Sequence, residues 1–311
     1  MNQYFNTYIA NEMNTVGEIS IEILHSQSFL QNLENHFNIS QMENTIKCCS
    51  YDNWYESLRK TNQAVRSQII PLPDDFIEFL LTGEFLIEEN MFPDLEAKVK
   101  EALRDLGGHA FVKLNFTAPL DAQWIGSQRT MEIKEFQDII YILKASTRVL
   151  LDITQPFGEK VEGIKPILVL KKYFDYRRDR EFRVFQKTKG LRFISSRYDD
   201  VPCHIEEEEV NKLINEFINH VSEIIKEENL IFDVYISPKM RIHLVDVAPW
   251  NDATSAAMFT WEEIKEMNNC ETRLCHECVI HPVEDPAVPV ELTGGASLDE
   301  IIKAMKELEN L

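Results

Sequence analysis

The sequence lacks the features by which membrane and secreted proteins are recognised. No run of about 18 apolar residues occurs in the 311-residue chain, and a membrane-spanning helix requires one. The polar residues 1–14 include neither the basic nor the apolar region of a signal peptide. The six cysteines do not follow the spacing of a disulfide framework. We therefore expect a cytoplasmic protein with reduced thiols and no membrane contact.

Basic residues are also scarce. The chain has 32 Lys and Arg side chains against 52 Asp and Glu side chains, a formal net charge of −20. An acidic chain repels phosphate backbones, so we expect no direct nucleic-acid partner. A protein with a basic surface is a better candidate partner. Glycine and proline, at 10 and 12 residues, are too few for a low-complexity chain. The 44% of hydrophobic residues allow a large core, in one large domain or two closely packed ones.

Helices and strands are both predicted, and they interleave along the chain. Apolar residues at helical spacing, bounded by caps such as Asp74 and Gly107, predict helices. Alternating or continuous apolar runs predict strands. The predicted helices cover 74–83, 94–106, 132–146, 206–229 and 297–308, and the predicted strands and hairpins cover 109–116, 165–174, 180–197 and 232–252. This order predicts an α/β or α+β fold with a mixed or antiparallel sheet, without the regular alternation of a doubly wound fold.

The local charge reverses sign over residues 165–197. This segment carries eleven basic residues and only three acidic ones. One interpretation is a solvated loop and hairpin face that pairs with acidic neighbours. The other is an anion site, in which guanidinium and ammonium groups hold phosphates. The chain has neither a P-loop nor a G-x-G-x-x-G motif, so such a site depends on side chains carried by strands.

The segment 232–252 is predicted to be a hairpin with one aspartate on each strand. If residues 237–240 form its loop, Ile236 pairs with Arg241. Asp233 and Asp246 then lie on one face as diagonal neighbours, roughly 7–8 Å apart at the backbone.

Two interpretations of these aspartates remain open. Mg²⁺ prefers oxygen ligands, and two converging carboxylates can hold one such ion. Alternatively, one aspartate caps a turn or pairs with Arg183 or Arg197.

Seven motifs in order resemble those of the cell division cycle 123 family, over roughly residues 48–265. The motifs read "YDNWYESL", "IIPLPDDFIEFLL", "GGHAFVKLNFTAPLDAQWI", "LVLKKYFDYRRDREFRVF", "IFDVYI", "LVDVAPW" and "MFTWEEI". The resemblance implies an ATP-grasp fold, in which two lobes enclose a nucleotide cleft. It divides the chain into an N-terminal helical segment (1–50), an N-terminal lobe (51–170) and a C-terminal lobe with a C-terminal helix (171–311).

The resemblance also implies a function. Members of the family bind ATP and Mg²⁺ and act as assembly chaperones of eukaryotic translation initiation factor 2, whose gamma subunit they bind. A chaperone that is monomeric before it forms its complex is therefore favoured over an enzyme. An ATP-grasp carboxylate–amine ligase and a degenerate protein-binding scaffold are the alternatives.

Site residues are carried over from the family motifs one by one. The residues that match ATP-binding positions are Lys113, Asn115, Ala118, Val169, Leu170, Lys171, Arg183, Arg197 and Asp233, and those that match metal-binding positions are Asp233 and Asp246. Lys113 is expected to reach the phosphates, and the strand at 169–171 to hold adenine through its backbone. Ala248 replaces the asparagine that usually completes the metal site, which weakens the case for catalysis more than the case for ATP binding. No catalytic residue is implied.

A cysteine- and histidine-rich segment follows near the C-terminus. Its five candidate ligands are Cys270, Cys275, His276, Cys278 and His281. Four of them could form a tetrahedral zinc site, but a single C-x-x-C pair is a weak signal, and reduced thiols in a loop are the favoured interpretation.

Overall fold

The structure is a computed structural model, and it describes residues 40–82, 90–125, 130–174, 176–188 and 190–277. The predicted helix at 297–308 lies outside these residues, as do Cys278 and His281 of the candidate zinc ligands. The predicted α/β architecture is confirmed: two separate sheets carry helices on their faces. Among the described residues, no helix combines the length and the apolarity needed to span a membrane.

The first sheet has four strands in the order β1-β4-β2-β3, and all its pairings are antiparallel. Its strands are β1 (Ser67–Pro71), β2 (Ala110–Lys113), β3 (Glu132–Ile133) and β4 (Ile167–Lys172). Leu168 and Leu170 of β4 pack with the helices on one face, whereas Ile167 and Val169 belong to a second core on the other. The period of two along a strand thus lets β4 bury side chains on both faces, which explains its continuous apolar run.

Four helices cover one face of this sheet. They are α2 (Asp74–Leu81), α3 (Pro93–Leu106), α4 (Phe136–Lys144) and α5 (Thr147–Thr154). Pro93 begins α3, and Gly107, with φ of +101°, ends it in the left-handed conformation that glycine adopts without strain. Ser146 caps α5 by accepting a hydrogen bond from the Val149 N–H. Helix α2 ends at Leu81, two residues before the predicted stop.

The second sheet has five strands in the order β8-β7-β5-β6-β9, antiparallel except for the β6–β9 pair. Its strands are β5 (Glu181–Thr188), β6 (Leu191–Ser196), β7 (Leu230–Ile236), β8 (Ile242–Pro249) and β9 (Glu271–Arg273). The predicted hairpin turn before Leu191 is confirmed, and Gly190 lies there with φ of +97°. Helix α6 (Glu207–Ile224) packs on one face of this sheet, and α7 (Trp261–Glu266) follows β8.

A single apolar core joins the two sheets. It includes residues of β4, of α6 and of α1 (Tyr51–Arg59). The Tyr55 hydroxyl donates to the Ser67 carbonyl of β1, while Leu244 of β8 donates its N–H to the Gln63 carbonyl just after α1. Helix α1 and the residues after it therefore contact both sheets and fix the spacing between them.

Candidate functional site

A polar row crosses the second sheet on the face opposite α6. Ser195, Arg183, Asp233 and Asp246 lie directly opposite one another on β6, β5, β7 and β8. Residues that pair directly in an antiparallel sheet project from the same face. The two aspartates therefore share a face, as the sequence predicted.

The register that produces this row differs from the predicted one. Ile236 pairs with Ile242, not with Arg241, because the turn is one residue longer and Met240 adopts a left-handed conformation with φ of +56°. An irregularity after Asp233 then leaves Val245 unpaired and sets Asp246 directly opposite Asp233. The predicted diagonal arrangement was wrong, since β-bulges of this kind leave no clear mark in the sequence.

Arg183 and Asp233 form a two-pronged ion pair within this row. The Arg183 Nε and Nη2 atoms lie 2.7 Å from the two carboxylate oxygens, and Nη1 donates to the Ser255 carbonyl at 2.6 Å. Arg197 approaches the same carboxylate, with its Nε 3.8 Å from Oδ2. Burial alone would raise the pKa of Asp233, but the charge and hydrogen bonds of Arg183 outweigh it and hold the pKa below its ordinary value. Asp233 is thus ionised across the neutral pH range.

Two lysines reach the row from the first sheet. The Lys113 ammonium lies 2.6 and 2.7 Å from the two oxygens of Asp246 and donates to the Phe116 carbonyl at 3.2 Å. The Lys171 ammonium donates to the Val245 carbonyl of β8 at 2.9 Å. Burial, together with the charge of Lys113, lowers the pKa of Lys171 to about 8. Lys113, Lys171, Arg183 and Arg197 therefore converge with both aspartates between the two sheets.

Glu181 is a further member of this cluster, and it is not among the residues predicted from the sequence. It precedes Arg183 by two residues on β5, on the same face, and accepts a long hydrogen bond of 3.4 Å from the Tyr198 hydroxyl. Burial and the charge of Asp233 raise the pKa of Glu181 to about 7. The period of two along β5 is a signal that could have found this residue.

Aromatic rings lie beside the charged cluster. Tyr176 stacks on Phe174 with ring centroids 3.9 Å apart and packs edge-on against Tyr235 of β7 at 4.8 Å. The Tyr176 hydroxyl is buried and has no hydrogen-bond partner among the described residues. An unpartnered buried hydroxyl costs free energy, and a ligand that supplies the missing hydrogen bond removes that cost.

Unlike Lys171, neither Val169 nor Leu170 is brought to this cluster by the structure. Both lie in the centre of β4, which is paired with β1 on one side and with β2 on the other. Their backbone groups therefore serve the sheet ladders, and both side chains are fully buried. Val169 shares the face of Lys113, whereas Leu170 points into the opposite core.

The side chain of Asn115 makes hydrogen bonds within the protein. Its amide nitrogen donates to the Ser50 hydroxyl and the Lys165 carbonyl, each at 3.0 Å, and its oxygen accepts from the Ile167 N–H at 2.9 Å. The residue thereby ties the loop after β2 to the start of β4. Ala118 lies half-buried in the same loop, where its carbonyl accepts from the Leu120 N–H.

Asp233 and Asp246 are the two carboxylates of the row, and each is paired with a basic side chain. In the described part of the chain, no group of three or more His, Cys, Asp and Glu side chains is arranged to hold a metal ion. Ala248, which replaces the asparagine expected to complete the metal site, packs against an apolar cluster that includes Phe185. Asn251 and Asp252 do not supply the missing oxygen ligand, since the Asn251 side-chain oxygen accepts from the Ala253 N–H and the Asp252 carboxylate accepts from the Lys265 ammonium.

Comparisons with known proteins identify the relatives of the chain. A model of the D123 family matches residues 83–290. The translation initiation factor eIF2 assembly protein of Xenopus tropicalis is 31% identical over 264 residues, which cover 71% of this chain and 78% of that protein. The structure of C-terminally truncated Cdc123 from Schizosaccharomyces pombe is similar at 25% identity and a TM-score of 0.63, and the match covers 76% of this chain and 98% of that one.

A looser likeness is to a ligase structure. D-alanyl-alanine synthetase A from Vibrio cholerae overlaps 72% of this chain and 61% of its own at 13% identity and a TM-score of 0.41. Nothing about activity follows from so distant a match. The family model and the close relatives carry the assignment, and the chain belongs to the D123 family.

Proposed function

We propose that this protein binds ATP with Mg²⁺ between its two sheets and promotes the assembly of translation initiation factor 2 by binding the gamma subunit. The observation that carries the nucleotide site is the convergence of four cationic side chains and two carboxylates from both sheets. These six residues are Lys113, Lys171, Arg183, Arg197, Asp233 and Asp246. The same site would hold the nucleotide whether or not it is turned over.

The charges of the cluster suit a triphosphate. Lysine and arginine side chains bind phosphate oxygens by charge-assisted hydrogen bonds, and partial burial strengthens those bonds. In the structure the two sides of the cluster neutralise each other, through the Lys113–Asp246 and Arg183–Asp233 ion pairs. A bound anion with its cation offers the same groups new partners of opposite charge.

The aromatic rings beside the cluster support a place for the base. Phe174 and Tyr176 lie in the segment that leads from β4 to β5, and Tyr176 has the unpartnered hydroxyl. A purine ring combines a flat apolar face with polar edges, which suits such a group of rings. We assign adenine to this segment and not to the backbone of Val169 and Leu170, since a strand with neighbours on both sides has no free edge.

Asp233 and Asp246 are the residues that would hold Mg²⁺, which would link them to the phosphates. Mg²⁺ keeps several water ligands when one or two carboxylates bind it, so the missing oxygen at Ala248 does not exclude the ion. The alanine at this position removes one ligand, and we therefore expect weaker cation binding than an asparagine would give.

The partner is inferred from the relatives, which are named for the assembly of eIF2. The net charge of −20 suits a partner with a basic surface, since complementary charge speeds association. We place the protein in the cytoplasm, as a monomer before the complex forms.

The nucleotide site is tested by thermal unfolding with and without ATP and Mg²⁺. We expect Lys113→Ala and Asp246→Ala to abolish the ATP-dependent rise in Tm, because each removes a charged group of the cluster. Lys100→Ala and Asp252→Ala are matched controls, since both residues form exposed ion pairs elsewhere. An unchanged ATP shift in both cluster variants would contradict the assignment.

The partner is tested separately with purified subunits of translation initiation factor 2. We expect the wild-type protein to retain the gamma subunit alone in a pull-down and to accelerate its joining with the other subunits. Retention of the gamma subunit without ATP, and at equal strength in Asp246→Ala, would instead favour a scaffold that does not use nucleotide.

A further inference from the structure

A buried carboxylate outside the charged cluster accepts hydrogen bonds from the loop that follows β2. Asp152 of α5 is 5% exposed, and a single one of its oxygens accepts three hydrogen bonds. The donors are the Phe116 N–H at 3.1 Å, the Thr117 N–H at 2.6 Å and the Thr117 hydroxyl at 2.7 Å. Two successive backbone N–H groups thus point at one carboxylate oxygen, as they do in anion-binding turns.

The same loop holds Lys113. The Phe116 carbonyl accepts a hydrogen bond from the Lys113 ammonium at 3.2 Å, and the Leu114 N–H closes the turn on the Thr117 carbonyl at 2.9 Å. A chain of contacts therefore runs from Asp152 through the peptide of Phe116 to the ammonium group. Because Lys113 is 1% exposed, its ammonium position depends on these fixed partners.

Asp152 is costly to the fold in its ionised form. Burial raises the pKa of Asp152 to about 6, although the hydrogen bonds of Thr117 and the charge of Lys113 act in the opposite direction. A neutral acceptor would satisfy the same N–H groups with less desolvation. The ionised group, in contrast, attracts the ammonium of Lys113 as well as fixing the loop.

We propose that Asp152 is a positioning residue for nucleotide binding, which fixes the Phe116–Thr117 peptide so that the Lys113 ammonium is held where the phosphates bind. This inference rests on the proposed nucleotide site. It requires that loss of the Asp152 charge weakens binding through the β- and γ-phosphates and leaves binding of the nucleoside part unchanged.

Isothermal titration with ATP and with AMP, both in Mg²⁺, tests the proposal on the full-length protein. For Asp152→Asn we expect about tenfold weaker ATP binding, the size typical of a lost charge-assisted hydrogen bond, and unchanged AMP binding. Asp121→Asn is the matched control, because Asp121 also links this loop region to the start of α5, through Ser146 and the Arg148 N–H, without touching Phe116 or Thr117. It should bind both nucleotides as the wild type does.

A second measurement does not need nucleotide. Acetic anhydride modifies lysines according to their accessibility, and mass spectrometry reports each site. We expect several-fold faster acetylation of Lys113 in Asp152→Asn than in the wild type, with the buried Lys144 unchanged as an internal reference for unfolding.

The outcomes separate the two proposals. If wild-type protein does not bind ATP but Lys113 is released in Asp152→Asn, the nucleotide site fails and with it the role of Asp152 in nucleotide binding, whereas the fixing of Lys113 by Asp152 stands. If wild-type protein binds ATP and the variant binds it equally well, or loses ATP and AMP affinity alike, the positioning role is overturned and the nucleotide site stands. Unchanged Lys113 acetylation overturns the positioning role in either case.

Discussion

At the scale of single residues, Glu181 is a carboxyl group whose ionisation the fold opposes. Its pKa is raised from an ordinary 4.5 to about 7, first by burial and then by the charge of Asp233. The folded state therefore binds this proton more tightly than the unfolded state does. It follows that the contribution of Glu181 to stability falls as the pH rises from about 4.5 to about 7 and is least favourable above that range.

Replacement of Glu181 by glutamine should therefore stabilise the protein at alkaline pH. One pKa unit corresponds to about 1.4 kcal/mol, so the variant should gain on the order of 3 kcal/mol in the free energy of unfolding at pH 8 and nothing below about pH 4.5. Urea unfolding at several pH values measures this difference. Glu216→Gln, at an exposed position of α6, is the control for the loss of one carboxylate, and a Glu181→Gln variant less stable than wild type at pH 8 would refute the prediction.

The charged residues on apolar strands could be predicted from the sequence. Arg183, Asp233 and Asp246 each interrupt an apolar run, and a charge at such a position requires a partner. One interpretation names Arg183 or Arg197 as the partner of one aspartate, and Asp233 does pair with Arg183, but the sequence does not indicate Lys113 as the partner of Asp246. Both interpretations of the aspartates stayed open because their ion pairs with Arg183 and Lys113 depend on contacts between distant segments.

At the scale of elements, some turns have a sequence signal and others have none. The β5–β6 turn contains Gly190, which adopts a positive φ at no steric cost, and this turn was predicted correctly. The β7–β8 turn places Met240 in the left-handed region, and the adjoining bulge at Val245 adds a second irregularity. Neither residue type signals such a conformation, so the predicted register missed both.

The central strand β4 shows a different limit. Its continuous apolar run correctly predicted burial on both faces. Because β4 is also paired with β1 on one side and β2 on the other, Val169 and Leu170 have no free backbone edge, which the motif match by itself did not reveal. A motif locates the segment, but the sheet order decides which of its groups face the site.

At the scale of the whole molecule, the contacts that join the two sheets lie beyond what periodicity can predict. Lys113 and Asp246 are 133 positions apart in the sequence, and their side chains meet only because α1 and the shared core hold the sheets together. Removal of one partner from a buried ion pair leaves an uncompensated charge, whereas removal of both does not.

We therefore expect Asp246→Leu to lower the free energy of unfolding by about 3 kcal/mol and the double variant Lys113→Met, Asp246→Leu to regain much of that loss. Chemical denaturation of wild type, both single variants and the double variant gives the coupling energy of the pair. Additive effects of the two single changes would show that the pair does not couple the sheets.

The double variant also provides a well-folded protein in which the absence of an ATP shift can be attributed to the site.

The Lys113 ammonium has three hydrogens, and all three are already committed, two to Asp246 and one to Phe116. A phosphate oxygen can claim one of them only by displacing an existing acceptor. If the proposed nucleotide binds here, its phosphates and the ion pair that links the two sheets would compete for this single nitrogen atom, so that nucleotide binding would weaken or rearrange the contact between the sheets.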